Sequence, residues 1–168
     1  SATTRAGNVI GGGDRSKNRL IPDCIKAWSK NKTAHIRNPN STRPWQHVLE
    51  PLSGYLMLAE KLYTNPKLFS GAWNFGPNEH GIRTVGWIVD KISLLWEGSS
   101  WVIDDDLVHP HEAMLLKLDI SKATDLLGWS PKWSLEESLS KIVEWQKLWC
   151  LGAEMRIICI DEINKFTN

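Results

Sequence analysis

The chain has 168 residues, with 20 Lys and Arg against 19 Asp and Glu and a formal net charge of +1. That length suffices for a hydrophobic core without disulfide or metal staples, and a charge so near zero speaks against a nucleic-acid binder, which carries a basic face. At 42% hydrophobic and 23% charged residues the composition excludes disorder, and no apolar run approaches the roughly 20 residues that span a bilayer.

There is no basic-then-apolar leader. The cysteines, Cys24, Cys150 and Cys159, are odd in number and show neither a CxxC motif nor a Cys/His cluster at ligand spacing. That disfavours a disulfide scaffold and a structural zinc site and fits a reducing cytosol. The first residue is Ser1, not Met, and the chain runs at once into strand-like sequence, as a fragment does.

In chain order, Thr3–Ile10 reads as a strand ended by Gly11-Gly12-Gly13. A helix from about Asn18 to Lys30 carries Pro22 in its first turn, with Ile21, Cys24, Ile25 and Trp28 on one face. A short strand at Ala34–Arg37 precedes a turn at Asn38-Pro39-Asn40. The next helix runs from Val48 or Pro51 to Tyr63, with Leu52, Tyr55, Leu56, Ala59 and Leu62 as its apolar face and Asn65-Pro66 as its stop. Ala72–Phe75 reads as a buried strand. Thr84 caps a helix through Leu95, Trp101–Ile103 is a strand before the acidic run Asp104-Asp105-Asp106, and Leu116–Leu118 is extended. Ser121 is placed to cap a helix ending at Gly128. Ser134-Leu135-Glu136-Glu137 is a capping box for a helix to Cys150, and a last short helix starts at Asp161. Helices alternating with short strands, with no repeat or linker, give an α/β class.

Several motifs dissolve on inspection. The glycine cluster lacks the third glycine of a dinucleotide fingerprint, because position 16 is Ser, and no acidic residue follows at the required distance. Such a loop lets backbone approach something closely. Tyr63…Lys67 has Tyr-x-x-x-Lys spacing, but Pro66 forbids the helix that would bring the pair together. His109, His111 and Glu112, with His47, suggest a metal only weakly, since adjacent side chains do not converge. The ten tryptophans read as packing residues more readily than as sugar platforms. The strongest constellation is dispersed. Arg19, Arg37 and Arg43 sit near element ends, close in sequence to Asn8, Asn38 and Gln46. Gathered by a fold they would suit a diphosphate, to which guanidinium makes forked bonds; solvated arginines are the alternative.

These segments also carry a resemblance. Arg5–Asp14, Arg19–Asp23, Arg37–Asn40 with Arg43–Tyr55, Trp73–Pro77, Pro110–Ala113 with Leu116–Asp119, and Leu127–Pro131 resemble the CDP-glucose 4,6-dehydratases, members of the extended short-chain dehydrogenase/reductase class. Arg-Pro-Trp-Gln-His-Val-Leu-Glu-Pro is the most specific run. The resemblance implies an NAD-dependent lyase that oxidises the hexose at C4, eliminates water across C5–C6 and returns the hydride to C6. It implies a cytoplasmic homo-oligomer serving the dideoxy sugars of surface polysaccharide (O-antigen), with CDP-glucose as partner and neither nucleic acid nor membrane.

It also implies that residues 1–168 are one unit, the C-terminal nucleotide-sugar-binding part: the last Rossmann strands plus a small α/β subdomain. The NAD-binding Rossmann part, with the glycine fingerprint and catalytic Tyr-x-x-x-Lys, would be absent, so the chain alone would hold no catalytic residue and be inactive. By this resemblance Asn8 would hold the sugar or diphosphate, and the Val9 main chain would touch NAD. Arg19 and Leu20 would contact the nucleotide, His35 and Arg37 would flank the base, and Arg43 would bind the diphosphate. Asn74 and the loop from His109 to Glu112 would close over the nucleoside. Arg15-Ser16-Lys17-Asn18 departs from the family, which has an aromatic and an acid there, and His109 stands where related dehydratases have Arg. The alternatives are another nucleotide-sugar dehydratase or epimerase of the class, or a Trp-rich carbohydrate-binding module.

Overall fold

A computed structural model describes residues 1–104 and 115–168. Strands β1 (Ala2–Ala6), β2 (Asn8–Ile10), β3 (Ala34–Ile36), β4 (Thr42–His47), β5 (Gly71–Phe75), β6 (Ile82–Thr84) and β7 (Trp101–Ile103) are interleaved with helices. The helices are α1 (Leu20–Trp28), α2 (Leu49–Thr64), α3 (Pro66–Phe69), α4 (Val85–Leu95), α5 (Ser121–Leu127), α6 (Leu135–Cys150) and α7 (Met155–Thr167). Asp105 and Asp106 of the acidic run, and the loop with His109 and Glu112, lie outside the described residues. Among the described residues no helix is long and apolar enough to cross a membrane.

The expected strand Thr3–Ile10 is two strands, because it changes partner at Gly7. Before Gly7 it pairs in parallel with β5, Ala6 opposite Phe75. After it, the chain pairs in parallel with β4, Asn8 opposite Trp45. β6 adds to β4 antiparallel, and β3 and β7 form a separate parallel pair. Neither β4 nor β6 was expected. Pro44 disguises β4, since proline cannot donate to a ladder. The structure tolerates it because Pro44 lies at the end of both: the β2 pairing starts at Trp45, and the β6 pairing ends at Pro44.

Two apolar cores follow. The larger joins α1, α4 and α6 to the strands through Ile21, Cys24, Ile25, Trp28, Ile88, Ile92, Leu139 and Ile142. The predicted face of α1 is the buried one, and burial pushes the Cys24 thiol up to about 12. The smaller core packs Leu58 of α2 against Trp73 and Phe75 of β5 and Ala123, Leu127 and Trp129 around α5. Here the expected face of α2 is corrected in part: Tyr55 and Leu62 pack against this core, whereas Ala59 is exposed. Pro51, Gly54 and Leu58 are buried, whereas Leu52 and Leu56 are exposed. The helix turns its glycine inward because the Phe75 ring fills the space a Cβ would take, 2.3 Å from ring carbon.

Helix ends show one agreement and two smaller differences. Ser134 Oγ accepts from Glu137 N–H at 3.1 Å, as expected. Ser121 caps nothing: it is the first helical residue, and Asp119 Oδ1 accepts from its N–H and hydroxyl. Those bonds hold the Asp119 carboxyl below its ordinary range. The last helix starts at Met155 rather than Asp161, with Glu154 Oε1 accepting from Arg156 N–H.

A buried carboxylate joins α2 to the segment before α6. Glu50 Oε1 accepts from Lys132 N–H (3.1 Å) and Trp133 N–H (2.8 Å), and Oε2 accepts from Lys132 N–H (3.0 Å). Burial raises its pKa against the opposing effect of those N–H donors. We expect Glu50→Ala to cost about 2–4 kcal/mol in urea unfolding, because two part-buried N–H groups lose their charged acceptor. A raised native pKa means the native state holds the proton longer than the unfolded chain. The wild type therefore loses stability as pH rises from the unfolded carboxylate range through the native value. Glu50→Gln, which does not titrate, should gain on the wild type across that window; a gap independent of pH would refute it.

Candidate functional site

A cleft of about 400 Å³ lies where β2, β3 and β4 meet the start of α1. The C-terminal ends of β2 and β3 open into it, the usual side for a ligand in an α/β sheet, whereas Arg43 comes from the start of β4. Gly11 follows β2 and Arg37 follows β3. β4 contributes Arg43 and Trp45 to the wall, and Asn18, Arg19 and Leu20 come from the entry to α1.

The structure brings most of the predicted site residues to this one place. Asn8, Val9, Arg19, Leu20, His35, Arg37 and Arg43 all line the cleft. Asn74 does not: it sits on β5, and its Nδ2 donates to the Asp119 main-chain oxygen at 3.0 Å, fastening β5 to the segment before α5. His109 and Glu112 are outside the described residues.

The three arginines differ in setting. Arg19 and Arg37 are exposed, whereas Arg43 is 8% exposed. Arg43 Nη1 donates to the Thr42 main-chain oxygen at 3.0 Å. Asp14 and Asp23 also line the cleft, so its formal charge is three cations against two anions. Asp14 Oδ1 accepts from Ser16 N–H at 2.9 Å and shapes the loop instead of facing the arginines alone. Sequence reasoning missed Trp45 as a wall residue. It is buried, and its Nε1 donates to the Arg83 main-chain oxygen at 2.9 Å, which locks the indole plane against the cleft. The signal was present as a lone aromatic next to Pro44, but only the strand assignment gives it a direction.

The glycine loop has a structural explanation. A Cβ on Gly12 would stand 2.3 Å from Trp145 Cγ, and one on Gly13 would stand 2.9 Å from the same ring. The indole on α6 is thus what the backbone approaches. This is no cradle for a dinucleotide diphosphate, since the loop packs on a ring and α1 begins only at Leu20. Behind it lies a second cavity of about 320 Å³ between α1 and α6, where the Arg15 guanidinium stacks 4.3 Å above the Trp149 ring. Tyr63 is 92% exposed and Pro66 opens a new helix, so the Tyr63–Lys67 pair is not on one helix face. Among the described residues no group of three or more His, Cys, Asp or Glu is placed to hold a metal.

The tryptophans are mostly core. Trp28, Trp45, Trp73 and Trp129 are buried, and their N–H groups donate to Ser100 O, Arg83 O, Phe69 O and Ser53 Oγ. Trp87 and Trp133 lie under lysine side chains. These contacts favour packing over the stacking surface that a carbohydrate module requires.

Compared with known proteins, the chain is 53% identical over 166 residues to the CDP-glucose 4,6-dehydratase of Salmonella typhimurium. The match takes in 98% of this chain and 46% of that protein, so the chain spans about half the length of its relative. The resemblance read from the motifs therefore extends over nearly every residue. No family model matches. Among solved structures, the fold is similar to UDP-glucuronic acid 4-epimerase from Bacillus cereus in complex with UDP-glucuronic acid and NAD. That likeness has a TM-score of 0.70 and 22% identity, covering 87% of this chain and 45% of that one. It is also similar to dTDP-glucose 4,6-dehydratase from Bacillus anthracis in complex with NAD, with a TM-score of 0.65 and 21% identity, covering 86% and 43%. These likenesses establish the fold as α/β, similar to the part of each of those structures that it covers.

The glycine–indole contact predicts that Gly12→Ala destabilises the chain by about 1–3 kcal/mol, the scale of overpacking, and shifts the tryptophan emission. Urea unfolding followed by fluorescence checks it; an unchanged midpoint would show that the loop is not held on Trp145.

Proposed function

We propose that the chain supplies the nucleotide-sugar-binding half of a CDP-glucose 4,6-dehydratase, acting on CDP-glucose to give CDP-4-keto-6-deoxyglucose and water. One observation carries the reading: Arg19, Arg37, Arg43 and Asn8 share a single cleft. The chain around them is 53% identical to a protein of that name. A cleft with an excess of guanidinium groups suits a diphosphate, because each planar fork meets phosphate oxygens with two charge-assisted bonds.

In this proposal Arg43 grips the diphosphate and Arg19 and Leu20 contact the nucleotide. His35 and Arg37 flank the base, and Asn8 orients the sugar. His109 and Glu112 complete the nucleoside enclosure in the bound state, while Asn74, fastened to the Asp119 main-chain oxygen outside the cleft, is given no contact with it. The wider proposal includes a cytoplasmic homo-oligomer in the supply of dideoxy sugars for surface polysaccharide.

NAD, which accepts and returns the hydride when bound, fits these residues poorly. The glycine loop packs on Trp145, and of this chain only the Val9 main chain, on the cleft wall, is assigned to it. The proposal therefore places the NAD site mainly in a Rossmann half outside these 168 residues, and no proton or hydride step is assigned to this chain. Its own contribution is to hold and orient the nucleotide sugar, the part of catalysis that comes from positioning.

Titration calorimetry should show CDP and CDP-glucose binding more tightly than UDP or dTDP analogues. Arg43→Ala should weaken binding by about 1–3 kcal/mol, the scale of a lost charge-assisted bond. Equal binding of free glucose and CDP-glucose would overturn the reading and favour a carbohydrate module. With excess NAD the 168-residue chain should form no 4-keto product; turnover above background would place the redox centre within it.

A further inference from the structure

The cleft holds two carboxylates that an anion site does not need. Asp14 and Asp23 line it together with Arg19, Arg37 and Arg43. A carboxylate beside a diphosphate repels it, and more strongly as water leaves the site, so each acid calls for another use. Asp14 has one: its Oδ1 accepts from Ser16 N–H at 2.9 Å and shapes the loop. Asp23 has none of this kind. It stands exposed in the first turn of α1, and among the described residues it makes no hydrogen bond or ion pair.

Two periodicities set its place. Asp23 lies three residues after Leu20 and four after Arg19, so the three share one face of α1, and all three line the cleft. Along β3 burial alternates: Ala34 and Ile36 turn into the core, while His35 and Arg37 turn out and line the cleft as well. α1 packs on β3, whereas Arg43 enters from β4. Asp23 is thus grouped with the residues that the proposed function sets around the nucleotide and its base.

We propose that Asp23 selects the nucleobase, its carboxylate accepting a hydrogen bond from the exocyclic amine of cytosine. This role rests on the nucleotide-sugar reading and adds to it the residue that tells CDP from UDP and dTDP. Cytosine presents along one edge a donor, the 4-amine, followed by acceptors at N3 and O2. Uracil and thymine carry an oxygen in place of the amine and a proton on N3. A carboxylate accepts and cannot donate. It therefore complements the amine, as acidic side chains do with cytosine in nucleic acids, and repels the oxygen that replaces it. The Arg37 guanidinium only donates and suits the acceptors beyond the amine. An acid beside a guanidinium matches the cytosine edge and mismatches the uracil edge.

Titration calorimetry of the 168-residue chain with CDP, UDP and inorganic pyrophosphate tests this, with circular dichroism to confirm folding. The wild type should prefer CDP to UDP. Asp23→Asn should weaken CDP binding about tenfold, the scale of one charge-assisted hydrogen bond. It should also tighten UDP, because the amide NH2 can donate to the oxygen at C4. Asp23→Ala should weaken CDP to a similar degree without that gain. Pyrophosphate, which has no base, should bind both variants within about twofold of the wild type, since a charge at the base end is screened from the diphosphate at physiological salt. A CDP preference that survives Asp23→Asn overturns the inference, as does a wild type that holds CDP and UDP equally. Variants that bind all three ligands more tightly by one common factor also overturn it, by setting Asp23 beside the diphosphate. A wild type that binds neither CDP nor pyrophosphate overturns the nucleotide-sugar reading itself, and the role of Asp23 falls with it.

Discussion

The cleft depends on how closely Gly7 passes Pro44. A Cβ at Gly7 would stand 2.5 Å from the Pro44 carbonyl oxygen, a distance no side chain tolerates. At that point the first strand leaves β5 and takes β4 as its partner. The Phe75 carbonyl marks the junction, accepting from Gly7 N–H at 3.3 Å and from Gln46 Nε2 at 2.8 Å. One oxygen thus ties the end of β1, the middle of β4 and the end of β5 together. Asn8 and Val9 are set against Trp45 and Gln46 as a direct consequence. A larger residue at position 7 would push β2 off β4 and separate Asn8 from the wall that holds Arg43.

Much of this was legible in the sequence where a short-range pattern decides the outcome. The face of α1 follows from four apolar residues at helical spacing, and the ends of α4 and α6 follow from Thr84 and Ser134, whose hydroxyls accept from Trp87 N–H and Glu137 N–H. Where long-range packing decides, the local signal misleads. Pro44 argues against a strand until both ladders are seen to stop at it. Gly54 looks like the poor side of α2 until Phe75 fills its space. Leu52 and Leu56 look like core until that rotation leaves them outside. For the cleft, the sequence carried the residue types and not their convergence: Arg19, Arg37 and Arg43 lie on three elements that meet only through the parallel pairing of β2 with β4 and the placing of β3.

The abundance of tryptophan fits the same architecture. Short strands and helices leave irregular gaps, and a large ring with one polar handle can fill a gap and bond across it. Trp28 does so between α1 and the start of β7, Trp129 between the α5 end and α2, and Trp45 between β4 and β6. Trp145 does the same without a polar contact to the loop, resting against Gly12 and Gly13. A glycine cluster that looks like a phosphate loop is here a seat for an indole.

The buried polar groups fix position more than they add stability. Removing carboxylates from water costs energy that pairing only partly returns, yet Glu50 and His47 are both buried near the C-terminal end of β4. Glu50 holds the segment before α6, and His47 meets Glu162 on α7. β4 is therefore anchored beyond the cleft by two polar contacts and within it by the Trp45 bond to Arg83. Arg43 precedes these anchors on the same strand, buried and paired across the ladder with Arg83. Arg19 and Arg37 stand exposed at element ends with their rotamer freedom intact. A fixed guanidinium loses little entropy when it meets an anion, while a mobile one must be ordered as it binds. The cleft thus combines one preorganised cation with two adaptable ones.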